Sequence, residues 1–128
     1  MHAAPLISVL ALVMLPAAAH ADVTTATKRA KAKEFDAMAT IRCAQEVRQA
    51  LALCEASVAL ADGSAAVLVT FPNGFARTLT FSDGAFLRGD ATMSGVGTDT
   101  EWQLSDGLYQ IRVDDQRFEI PETLVTRD

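Results

Sequence analysis

The sequence has few of the side chains on which soluble catalysis depends. Its two histidines, His2 and His20, both fall in the first 21 residues, and its last lysine is Lys33. Downstream of residue 21 there is therefore no imidazole. That excludes a histidine-activated Ser or Cys nucleophile, an imidazole-bound metal and an ordinary titration switch between about pH 5 and 8. A Ser-Lys dyad is unsupported as well, since Lys28, Lys31 and Lys33 stand far in sequence from Ser82, Ser94 and Ser105. Large rings are scarce too, with one Trp, one Tyr and six Phe in 128 residues. A chain of this length and composition makes one small domain, and excludes a multidomain enzyme, a collagenous or coiled-coil rod and disorder throughout.

The apolar half of the composition is unevenly spread. Sixteen of the 64 hydrophobic residues fall in residues 1–21, leaving 48 of 107, about 45 %, an ordinary globular fraction. Leu6 to Leu15 is apolar apart from Ser8. Ten helical residues span roughly 15 Å, half of a ~30 Å hydrocarbon core, so this is no membrane anchor. Pro16 follows, and Ala19-His20-Ala21 presents small residues where a signal peptidase reads them. Residues 1–21 are thus expected to be a secretory signal peptide cut after Ala21, and the protein to be periplasmic or secreted. Met1–Pro5 departs from the pattern in lacking Lys and Arg, so its charge comes from the α-amino group or from residues upstream.

Export changes how Cys43 and Cys54 are read. In an oxidising compartment a disulfide is the default, worth about 3 kcal/mol by the loop-closure argument. Local propensity points elsewhere. No Gly or Pro occurs from Ala17 to Asp62, and Cys43, Val47, Ala50, Cys54 and Val58 recur at helical spacing. Cysteines eleven residues apart on one helix lie about 16 Å apart, whereas a disulfide needs Cα atoms within about 7 Å. The bonded reading requires any helix to stop before Cys43 and Gln45–Leu53 to turn back; the other leaves two buried free thiols in a long helix. Residues 22–40 are expected to form an N-terminal arm or short helix, with Lys28-Arg29, Lys31 and Lys33 as a solvated basic run or a contact for anionic lipid head groups or an acidic partner.

From Asp62-Gly63 onward the period changes to two. Val67, Val69 and Phe71 alternate with polar or small residues, as do Phe75, Arg77, Leu79 and Phe81, with Pro72-Asn73-Gly74 between the two runs. Ser82-Asp83-Gly84 turns the chain again. Trp102 and Leu104, then Tyr109, Ile111 and Val113, then Phe118 and Ile120 continue the pattern around Ser105-Asp106-Gly107 and Asp114-Asp115. Such spacing predicts a mainly β domain over residues 41–125. The expected form is a small antiparallel sandwich or barrel of about six to eight short strands. Trp102, Phe75, Phe86 and Tyr109 are expected to fill its core, at least three of them, and Arg112, Arg117 and Glu119 to pair across the last hairpin.

The order Cys43…Cys54, Val67–Phe71, Pro72-Asn73-Gly74 and then Ile111-Arg112-Val113…Arg117-Phe118-Glu119-Ile120-Pro121 resembles small exported proteins of Gram-negative bacteria. These have a Cys-loop-Cys start and an Ile-Arg-Val…Glu-Ile-Pro end. The likeness covers roughly Ile41 to Val125 and implies compartment and architecture but no activity. Such proteins carry a turn-prone loop between the cysteines, which favours the disulfide; here Gln49-Ala50-Leu51-Ala52-Leu53 departs from that.

The remaining polar residues offer little chemistry. Asp99, Glu101, Asp106, Asp114, Asp115, Glu119 and Glu122 make the last third acidic, yet no calcium-loop spacing is present. Gly95-Val96-Gly97 lacks the strand-to-helix context of a phosphate loop. No enzyme activity, cofactor or metal is expected. Nucleic acid fits neither the compartment nor the lack of aromatic interleaving. The expected role is a non-catalytic binding or structural module meeting another envelope protein, with the loop residues Met93, Ser94 and Gly95 and the nearby Trp102 as its candidate binding surface. An alternative is a cell-wall hydrolase inhibitor. Ser94-Gly95 followed by Trp102 is faintly similar to the Ser-Ala-Ser-Gly…Trp pattern of membrane-bound lysozyme inhibitors, which are small exported β-barrels. Only Ser94 carries over, because the Ser-Ala start and the downstream Lys are absent.

Overall fold

The computed structural model describes residues 17–90 and 99–126. Helix α1 (Ala17–Lys31) leads into β1 (Ala37–Ala44), β2 (Ala52–Ala61), β3 (Ser64–Thr70), β4 (Ala76–Ser82) and β5 (Ala85–Gly89). After the loop come β6 (Thr100–Ser105), β7 (Leu108–Val113), β8 (Gln116–Pro121) and a single turn of helix, α2 (Glu122–Val125). The eight strands form one antiparallel sheet in the order β5-β4-β3-β2-β1-β8-β7-β6, curled into a nearly closed barrel. The mainly antiparallel β architecture expected from the period-two pattern is thus the observed one.

Three of the hairpins use the same device. Asp62-Gly63, Asp83-Gly84 and Asp106-Gly107 each hold both residues at positive φ, from 31° at Asp62 to 84° at Gly63. Two-residue turns of that hand match the right-handed twist of the strands they join, and Asp-Gly is the cheapest pair to place there. The registers follow: Ala61 faces Ser64, Ser82 faces Ala85, and Ser105 faces Leu108.

Residues 37–44 and 52–61, rich in helix formers, are strands. Register places Ile41 opposite Cys54 and Cys43 opposite Ala52, so the cysteines sit diagonally on the inner face. Their Cα atoms are 6.0 Å apart and the pair is bonded. Gln45–Leu51 turns back, with Arg48 at φ 69°. The helical stripe through Cys43, Val47 and Cys54 does not form. A cross-strand disulfide plus burial of Ile41, Cys43, Cys54, Ala56 and Val58 outweighs a few tenths of a kcal/mol of propensity per residue. Strand β1 also begins at Ala37, inside the segment that the sequence assigns to the arm.

The barrel interior holds Val67, Val69, Phe71, Leu79, Phe81, Tyr109, Ile111, Val113, Phe118 and Ile120, each almost wholly buried. Of the four rings expected in the core, Phe86 and Tyr109 are there, while Phe75 is 50 % exposed and Trp102 41 %. Phe75 lies in the turn just before β4, and Trp102 on an edge strand, so neither has a second layer to cover it.

Helix α1 is docked, not a free arm. Ala26 and Ala30 meet Ala59 and Ala66 on the outer face of β2 and β3, and Val23 is buried too. Small side chains on both surfaces let helix and sheet approach closely. The Arg29 guanidinium fastens the end of the helix, donating to both Asp36 oxygens (2.7 and 3.1 Å) and to the Leu60 carbonyl (2.6 Å). The Leu60 N–H in turn donates to Asp36 at 2.8 Å. The hydrogen bond and charge of Asp36 raise the Arg29 pKa above its ordinary value despite the opposing effect of desolvation. Lys28, Lys31 and Lys33 remain exposed. The expected cut after Ala21 falls within α1, and the described side chains that pack the helix, Val23, Ala26 and Ala30, lie beyond it. Among the described residues no helix is long and apolar enough to cross a membrane.

Candidate functional site

The barrel is open along one line. Among the described residues β5 and β6 end the strand order, and each is hydrogen-bonded to one neighbouring strand only. Instead of a backbone ladder, rings connect the two sides through the interior. Phe86 lies 5.6 Å from Phe81, Phe81 5.0 Å from Tyr109, and Tyr109 6.0 Å from Trp102, centroid to centroid. The Tyr109 hydroxyl crosses the seam and donates to the Gly84 carbonyl at 2.6 Å. Burial, and secondarily the charge of Glu122, raise its pKa above 10.0.

Strand β6 is the least covered element of the barrel. Register pairs Trp102 with Ile111 and Leu104 with Tyr109, so both belong to the inward-facing row. The missing neighbour leaves them 41 % and 39 % exposed, and Leu87 on β5 is 42 % exposed. An unpaired strand edge with two apolar side chains at alternate positions offers both halves of strand-addition recognition: backbone hydrogen bonds and side-chain anchors.

Along β6, β7 and β8, which α1 leaves uncovered, runs a groove of about 610 Å³ lined by the polar side chains of Glu101, Gln103, Gln110, Arg112, Arg117 and Glu119 and also by Leu51, Trp102, Ile111 and Phe118. The Gln103 side-chain amide donates to the Gln110 carbonyl oxygen at 2.5 Å. Glu119 lies 3.6 Å from Arg42, and Arg112 lies 3.2 Å from Asp99 and 3.6 Å from Glu101. Desolvation lowers the Arg112 pKa, but the hydrogen bonds and charges of Asp99 and Glu101 outweigh it and leave the value raised. Arg112 and Arg117 stand directly opposite each other. The expected pairing of Arg112, Arg117 and Glu119 across the last hairpin therefore does not occur: like charges face each other, and the acids are supplied by β6 and the segment just before it.

A third polar cluster closes the end of the barrel near Asp114. Arg77 faces inward with Leu79 and Phe81, as its alternation implies, and is 3 % exposed. It donates to Gln116 (3.1 Å) and the Asp90 carbonyl (2.8 Å), and lies within 3.7 Å of the Asp90 and 3.6 Å of the Asp114 carboxylate. A Cβ on Gly89 would come within 3.0 Å of Val113 and 3.2 Å of Arg77, so glycine lets β5 close over this cluster. The guanidinium ties β4 to β8 and to two turns, while its Nε is buried with no hydrogen-bond partner and lies 3.7 Å from the Asp90 carboxylate. At the opposite end a polar cleft runs between α1 and α2, where Arg29 and Asp36 already neutralise each other.

Cys43 and Cys54 form a buried staple, not a reactive pair. Met93, Ser94 and Gly95 lie outside the described residues. Trp102 is brought to the seam beside Leu104, which the sequence reading placed on a strand but not in a site. Among the described residues no group of three or more His, Cys, Asp or Glu side chains could hold a metal. No family model, curated protein or solved structure matches the chain. The class defined by fold and site is a disulfide-stapled, nearly closed antiparallel barrel with one open edge.

Proposed function

We propose that the protein is exported and acts in the cell envelope as a non-catalytic binding module, taking an extended segment of another envelope protein along the open edge of β6. The observation that carries this reading is the exposure of Trp102 and Leu104 on a strand hydrogen-bonded on one side only. The leader pattern of residues 1–21 and the disulfide are in keeping with export. From Asp62 onward the chain carries eleven acids and five arginines, so the segment it takes is basic.

The test uses extended peptides alternating Val with Lys, read by amide exchange of Thr100–Ser105. Protection of those amides, lost in Leu104→Lys, is the expected result. Absence of protection at millimolar peptide, or protection elsewhere on the barrel, contradicts the reading. Turbidity clearance by lytic enzymes checks the hydrolase-inhibitor alternative; inhibition abolished by Ser94→Ala would replace the proposal.

A further inference from the structure

We infer that the outer groove of β6–β8 is a second binding site, which takes the free carboxylate end of a short peptide. This goes beyond the strand-addition reading: the polar groups it uses lie on the outward row of the same strands, while Trp102 belongs to the lining of both sites.

The argument starts from the opposed guanidiniums. Arg112 and Arg117 are directly paired across β7 and β8, an arrangement that costs stability on a sheet face unless an anion relieves it. Arg112 has Asp99 and Glu101. Among the described residues no carboxylate forms an ion pair with Arg117, which donates only to the Gln49 carbonyl of the β1–β2 loop. A half-buried guanidinium in a groove of about 610 Å³ is a ready partner for a carboxylate, which it can bind through two N–H groups at once.

The rest of the lining narrows the ligand. Gln103 and Gln110 are joined amide to amide, which leaves the Gln103 oxygen as an acceptor and the Gln110 NH₂ as a donor. Those two groups match the N–H and C=O of one peptide unit. Glu101 and Glu119 flank the arginines and repel polyanions, so one carboxylate is accepted where a run of phosphates or sulfates is not. Leu51, half-buried at the rim, offers an apolar contact to one side chain. A carboxylate followed by an amide and an apolar side chain is the terminus of a peptide.

The probe is N-acetyl-leucyl-alanine as the free acid and as its C-terminal amide, with glucuronate as an acidic-sugar control. Binding is read from NMR shifts of the Arg112 and Arg117 Nε–H and the Gln103 and Gln110 side-chain amides. The free acid is expected to move these signals and the amide to bind about tenfold more weakly, the loss of one charge-assisted hydrogen bond. Arg117→Gln is expected to show the same loss. Gln103→Glu, at an exposed position that leaves the core intact, adds a repelling charge to the groove and is expected to abolish the shifts while Val/Lys peptides still protect the β6 edge. Equal binding of acid and amide, no shift at millimolar acid, or tighter binding of glucuronate than of the peptide overturns the inference.

Discussion

Strands β3 and β6 belong to one sheet and live in different solvents. β3 is buried on both faces, by the barrel interior and by α1, and its sequence Ser-Ala-Ala-Val-Leu-Val-Thr is nearly continuous in small and apolar residues. β6 has no residue fully buried, an open edge and a clean alternation of Glu101, Trp102, Gln103 and Leu104. Coverage on both sides demands small side chains on the outer face, since Ala66 is where α1 rests. Openness leaves the large apolar side chains Trp102 and Leu104 only partly covered, although Trp102 still touches Tyr109. The residues that stabilise the fold and those available for binding are thus separated along the barrel, and substitutions on the two sides should behave differently.

The largest break comes in the ring chain that spans both sides. Phe81→Ala removes a buried ring touching Phe86 and Tyr109 and is expected to cost about 3–5 kcal/mol in chemical denaturation. Next is Ala66→Leu, which forces a larger side chain between β3 and α1. A loss of about 1–3 kcal/mol is expected, with α1 displaced and its amides exchanging faster.

Tyr109→Phe removes the bond to Gly84 across the seam, for about 0.5–1.5 kcal/mol. It also carries a pH signature. A folded pKa raised above the unfolded value means that the folded chain holds the phenolic proton more tightly. That stabilisation is complete below about pH 10 and is lost as pH rises through the folded pKa. As Tyr109 is the chain's one tyrosine, tyrosinate absorbance against pH reads it directly, and the alkaline loss should vanish in Tyr109→Phe.

The smallest stability effect belongs to β6. Leu104→Thr is expected to change stability by less than about 1 kcal/mol while weakening peptide capture at the edge. A large loss of stability there would mean that β6 is structural, and the contrast with β3 would fail.

The same contrast explains what the sequence makes legible. On β7 and β8 the inward rows Tyr109, Ile111, Val113 and Phe118, Ile120 stand out, because one face is buried and the turns Asp106-Gly107 and Asp114-Asp115 mark where the strands begin. Arg77 shares a face with Leu79 and Phe81 on the same rule. β1 and β2 are hidden because Ala, Glu, Gln and Arg favour helix locally and no Gly or Pro separates them. The period of two in Cys54, Ala56 and Val58 prevails only through tertiary contacts and the disulfide. Trp102 can be named from its rarity, but its exposure depends on which strands end the sheet. The groove was beyond sequence reasoning for a related reason: it needs the registers that bring Arg112 opposite Arg117 and Gln103 opposite Gln110.

The central claim, that the open edge of β6 is the working surface, is tested most directly by site-specific photocrosslinking in the native envelope. A crosslinker replaces Ser105 on β6, outside the groove lining, in one variant and Leu68 on β3 in the other. The account predicts one reproducible envelope protein captured from position 105, crosslinked through a basic extended segment and lost in Leu104→Lys, and no such product from position 68. Capture from position 68 with none from 105, or capture at 105 indifferent to Leu104→Lys, would contradict it.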